Sequence, residues 1–105
     1  MTVSELKDGM ILPGKAPDSW GFTEDRFKEN SYLWRVGSDL LISFVWATQE
    51  GKGYFSSLVR SIENDGLRVK VPTPLGRMEM ILRRWGFHST TEEDSEMGPV
   101  EMWVR

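Results

Sequence analysis

At 105 residues the chain is the size of one domain and can bury a core without staples. It has no cysteine, which excludes disulfides and thiolate metal sites. Its 13 basic and 16 acidic residues leave a net charge of −3, which disfavours a general nucleic-acid binder.

The start, "MTVSELKDGMILPGK", lacks a charged n-region followed by an apolar core, and no apolar stretch approaches the length of a membrane span. The expectation is a soluble, cytoplasmic protein with no membrane partner. Gly9, Pro13, Gly14, Pro17 and Gly21 break any period and predict an irregular segment over residues 1–30. Inside it, "FTEDRFKEN" predicts a short helix capped by Thr23, with Glu24 and Asp25 in its first turn. Trp20, Phe22, Phe27, Tyr32 and Trp34 gather in this part of the sequence. The plain expectation is a core cluster. The sharper one is an exposed apolar surface that recruits a second copy, hence a homodimer.

"SYLWRVGSDLLISFVWA" predicts a β-hairpin with its turn at Gly37-Ser38-Asp39. Leu40, Ile42, Phe44 and Trp46 share one face of the second strand, and Leu41, Val45 and Ala47 the other. A strand apolar on both faces is expected to be buried on both, at the centre of its sheet. Tyr54, Phe55, Leu58, Val59 and Ile62 then recur at helical spacing, and Gly66 suits the left-handed position past the helix end. "LRVKV" predicts a strand stopped by Pro72 and Pro74. A second helix follows with Met78, Ile81, Leu82 and Trp85 inward, closed by Gly86. The tail predicts a final hairpin, turning in the polar stretch through Gly98 and Pro99 and returning as "VEMWVR".

This order predicts a single domain over residues 1–105, with the hairpin-helix-strand-helix-hairpin core at 31–105. The strand–helix–strand unit should make a right-handed parallel crossover. The fold class expected is therefore α/β (α+β): a mixed, mostly antiparallel sheet with a central parallel β-α-β unit.

The strand-to-helix junction reads "TQEGKGYF". The first amides of a helix have no intrahelical acceptors, and the helix dipole adds partial positive charge there. Glycines let such a corner approach an anion, so Gly51 and Gly53 with Lys52 suit a pyrophosphate. Taken alone, the glycines read more simply as a plain tight turn from strand into helix. The stretch lacks the Gly-Lys-Ser/Thr ending of a Walker A loop and the third glycine of a dinucleotide fingerprint.

Taken together, residues 32–105 resemble the GNAT superfamily of acyl-CoA-dependent N-acyltransferases. Three pieces carry the resemblance. A buried strand runs into "TQEGKGYFSSLVRSIENDG", where Gly51 and Gly53 match a cofactor loop of the form Gln/Arg-x-x-Gly-x-Gly/Ala and Thr48 replaces the usual Gln or Arg. The helix ends on Arg84, one spacer, Gly86 and Phe87, as is typical of the family. A closing hairpin ends in "VEMWVR". The resemblance implies acetyl-CoA or another acyl-CoA as cofactor. It implies that the pyrophosphate lies on amides from Gln49 through Glu50, Gly51, Lys52 and Gly53 to Tyr54. The pantetheine arm would pair along residues 41–47, which places Val45, Ala47 and Thr48 in the cofactor site.

The chain also departs from the family. Leu82 stands where many members carry the tyrosine that protonates the leaving thiolate, and neither Thr73 nor Leu75 replaces a frequent asparagine. The N-terminal helices that wall the acceptor site are reduced or absent. Glu50 and His88 are the candidate catalytic residues, and Glu24 or Asp25 is an alternative base. Each reads more simply as a solvated charge or, for His88, a strand residue. No His/Asp/Glu cluster has metal spacing, so no metal is expected. Arg77, Arg83, Arg84 and Lys70 form a local basic region in sequence, but nucleic acid is a disfavoured partner.

Two functions are expected from these residues. The first is a GNAT-like N-acetyltransferase acting on a primary amine, with a protein or other large acceptor suited to an open site. The second is a non-catalytic interaction protein that keeps the fold without the acid and the acceptor wall.

Overall fold

The computed structural model describes every residue except Met1, Leu75 and Met97. The described residues form strands β1 (Gly9–Ile11), β2 (Tyr32–Val36), β3 (Asp39–Phe44), β4 (Arg68–Pro72), β5 (His88–Asp94) and β6 (Gly98–Val104). The helices are α1 (Tyr54–Asn64) and α2 (Arg77–Arg84), and 3-10 turns lie at Val3–Glu5 and Asp18–Trp20. The fold is mixed α/β, with a six-stranded mixed sheet and two helices. Two compact units divide the chain, Met1–Val69 and Lys70–Arg105.

In the first unit β1, β2 and β3 are neighbours in that order, joined as antiparallel pairs. The Arg68 N–H donates to the Ser38 carbonyl at 2.8 Å, which sets the start of β4 beside the β2–β3 turn. Side-chain alternation gives this sheet one buried apolar face, with Ile11, Leu33, Leu40 and Ile42. Arg35 secures the N-terminal turn by donating from Nη1 to the Val3 carbonyl at 2.6 Å. The helix α1 buries Leu58, Val59 and Ile62, the stripe its spacing predicts. Full burial of each such side chain stabilises by roughly 1.5–3 kcal/mol.

In the second unit β6 lies between β4 and β5, with Trp103 opposite Val71 on one side and Ser89 on the other. Leu82 of α2 is fully buried, as are Phe87, Met102 and Trp103 nearly so. The Arg83 guanidinium lies 5.0 Å from the centre of the Trp103 ring.

Both helices end in the same way. Past α1, the Gly66 N–H bonds to the Glu63 carbonyl and the Leu67 N–H to that of Ile62. Past α2, Gly86 bonds to Arg83 and Phe87 to Leu82 in the same pattern. This is the Schellman arrangement, which satisfies the last carbonyls and turns the next apolar residue inward. The Gly86-Phe87 pair is thus accounted for by helix termination alone.

Several expectations need correction. The segment "FTEDRFKEN" forms a single turn rather than a helix: the Thr23 carbonyl accepts from both Arg26 and Phe27, and the chain then extends. Phe27 leaves that turn to make an antiparallel bridge with Ala47. The irregular segment contains a strand, β1, because β2 offers it a free edge. The outer part of the β3 run is not buried. Leu40 and Ile42 are covered, but the strand stops at Phe44, and Phe44 and Trp46 are exposed. Gly98 and Pro99 belong to β6, opposite Asp94 and Glu93, so the last turn falls before them. Of the early aromatic residues, Trp20, Phe22 and Phe27 are core and Trp34 is exposed. The expectation for Leu75 lies outside the described residues.

Candidate functional site

The corner between β3 and α1 is built from both sides of a clamp. Lys28 donates its N–H to the Trp46 carbonyl at 2.8 Å, and Thr48 donates its own to the Arg26 carbonyl at 2.8 Å. The buried Ser31 hydroxyl accepts the Trp46 N–H at 2.8 Å. The Thr48 hydroxyl adds bonds to the Asp25 carbonyl at 2.8 Å and the Arg26 carbonyl at 3.1 Å. Thr48 therefore serves to anchor the loop, with its N–H and hydroxyl turned to residues 25–26.

The bridge between Phe27 and Ala47 has a further consequence. Bonds flanking the bridge use residues 46 and 48, so strand alternation turns the N–H and C=O of Ala47 to the opposite edge. Val45 shares that orientation by the same alternation. Neither lies within β3, which ends before them.

Beyond Thr48 the chain turns through Gly51 and Gly53, both left-handed at φ 76° and 74°. Only glycine holds that conformation without cost, and two in three residues fold the loop tightly onto the start of α1. A Cβ at Gly51 would meet no atom within 4 Å, and one at Gly53 only the Ser56 hydroxyl at 3.7 Å. The corner is thus open to the outside. No side chain caps α1, and the bond from Ser57 N–H to the Gly53 carbonyl at 3.0 Å opens the helical ladder. Backbone amides preceding Ser57 lie ahead of that ladder, at the positive end of the helix dipole.

Two cations serve this corner. Lys52 is exposed at its tip. The Arg26 guanidinium lies 5.0 Å from the centre of the Tyr54 ring, on the first residue of α1. Arg26 was not legible as a site residue, since only the clamp at residues 46–48 brings it here. Glu50 is exposed on the same loop. His88, the other catalytic candidate, opens β5 in the second unit as an exposed strand residue opposite Val104.

The basic region of the sequence does not survive as a cluster of unengaged cations. Lys70 is buried and bonds to Glu92 at 2.8 Å, while Arg83 reaches Glu79 at 3.2 Å. Leu82 is fully buried and apolar, so no proton donor occupies that place. Among the described residues no group of acidic or histidine side chains is arranged to hold a metal ion. No described helix is long and apolar enough to cross a membrane. No family model, curated protein or solved structure matches the chain.

Proposed function

We propose that the chain is a GNAT-like N-acetyltransferase that uses acetyl-CoA, or another acyl-CoA, to acylate a primary amine on a protein or other large acceptor. The observation that carries this reading is the open corner at residues 49–54. Two left-handed glycines and an uncapped helix start lie there, with Lys52 exposed on the loop and Arg26 over the Tyr54 ring, a set suited to a diphosphate. The order β3-α1-β4, with β3 and β4 as neighbours, is that of a parallel crossover and supports the same reading.

Under this reading amides from Gln49 to Tyr54 hold the diphosphate, and Lys52 adds a point charge. The outward main chain of Val45 and Ala47 receives the pantetheine arm as an added strand. The bound thioester supplies an activated acyl group for direct attack by the amine. Glu50, exposed on the same loop, is the candidate for taking the amine proton. With Leu82 at the place of the family's tyrosine, no side chain there protonates the leaving thiolate, and water supplies that proton.

The apolar, buried Leu82 equally favours a second reading, a non-catalytic protein that keeps the fold for binding. Calorimetric titration with acetyl-CoA, followed by thiol release with a panel of amines, separates the two. Acetyl-CoA binding that weakens about tenfold or more in Lys52→Glu supports the coenzyme site. Thiol release then supports the enzyme, and binding without it the second reading. No binding at millimolar acetyl-CoA overturns the coenzyme site.

A further inference from the structure

The three-stranded part of the first unit has a second face, opposite Ile11, Leu33, Leu40 and Ile42. Register places Met10 opposite Trp34 and Trp34 opposite Leu41, so all three share it. Val36 lies on it two residues along β2, and Phe44 lies opposite Tyr32. Trp46 continues the patch, its ring centre 6.1 Å from that of Phe44 in an edge-on contact. Met10, Trp34, Val36, Phe44 and Trp46 are 57, 40, 51, 43 and 50 % exposed.

These fractions decide what the face is for. With full side-chain areas of roughly 150–250 Å² for the larger residues, the five expose on the order of 500 Å². The largest apolar patch on an ordinary monomer spans about 300–600 Å² and is often functional. Two such patches brought together bury about 1,000 Å² from these side chains alone, which reaches the area a specific interface needs.

We infer that this face packs against the same face of a second copy of the chain, sheet on sheet, about a two-fold axis crossing the strands. The charges at its ends select that orientation. Asp39 opposes Val36 at one end of the face. At the other end, Lys28 Nζ lies 4.4 Å from the centre of the Trp46 ring. An axis across the strands sets the Asp39 end of one copy over the Lys28 end of the other, twice per dimer. An axis along the strands sets like charges together. The contact uses none of residues 48–54, so it leaves the proposed diphosphate corner uncovered.

Sedimentation velocity on the full chain over a concentration series tests this. The expected result is a monomer–dimer equilibrium in the micromolar range. Trp34→Glu and Val36→Glu each weaken it about thirtyfold or more, since each buries a carboxylate among the apolar side chains of the contact, the first at its middle and the second at its Asp39 end. Lys28→Glu weakens it, and adding Asp39→Lys restores it. Far-UV circular dichroism confirms folding, and if Trp34→Glu unfolds, Val36→Glu decides. A wild-type chain that stays monomeric to low-millimolar concentration overturns the inference and leaves the face to another kind of partner. A dimer that survives Val36→Glu overturns it too.

Discussion

Trp20 donates its indole N–H to Asp65 Oδ2 at 2.6 Å, across 45 residues of sequence. Trp20 is buried, while Asp65 caps the C-terminal end of α1 and is exposed. The bond ties the irregular N-terminal segment to the helix whose other end forms the candidate site. Asp65→Ala orphans a buried donor and is expected to cost about 1–3 kcal/mol. Asp65→Asn keeps an acceptor and costs less. Urea unfolding at an unchanged m-value measures both.

In the second unit, Lys70 on β4 meets Glu92 on β5 at 2.8 Å. The lysine is the buried member, and Glu92 retains partial access to water. Removing the carboxylate leaves the less hydrated charge behind, so Glu92→Gln is expected to destabilise by about 1–2 kcal/mol after allowance for solvent at Glu92. Lys70→Met removes the buried charge itself and costs less. Thermal unfolding of the two variants gives the order directly, and the reverse order would show that the lysine stem's own packing dominates.

Asp25 gives the chain a local reporter beside the loop clamp. The Thr23 hydroxyl donates to its carboxylate, and this bond, before any other cause, holds the group below its usual value of 3.8. A carboxyl depressed in the folded state contributes stability above its unfolded pKa and loses it as pH falls through the lower folded value. The window is therefore acidic, below 3.8. Thr23→Val should return the Asp25 titration toward the ordinary range, read from its side-chain carboxyl resonance by NMR. No movement would mean that the hydroxyl bond is not the cause.

What was legible in the sequence was what short-range pattern controls. The stripe Leu58, Val59, Ile62 and the closing Gly66 marked α1, and Gly37-Ser38 marked a turn between strands. The Phe27–Ala47 bridge was not legible, because it joins residues brought together by tertiary folding and neither carries a periodic signal. It also explains why "FTEDRFKEN" failed as a helix: pairing residues 26–28 with 46–48 gains more than extending one turn. Alternation in "LLISFVWA" showed which side chains share a face, but not what covers them. Leu40 and Ile42 find cover, whereas Phe44 and Trp46 do not. At the candidate site the glycines were readable as a corner. Arg26 was not, since its place on Tyr54 follows from the clamp.

The central claim is that main-chain amides at the β3–α1 corner hold a diphosphate. Titrating isotope-labelled protein with acetyl-CoA, and following backbone amides by NMR, tests it most directly. The account predicts saturable shifts at Gln49, Gly51, Lys52, Gly53 and Tyr54 that inorganic pyrophosphate reproduces in part. Amides at this corner that do not move at saturating acetyl-CoA would contradict it.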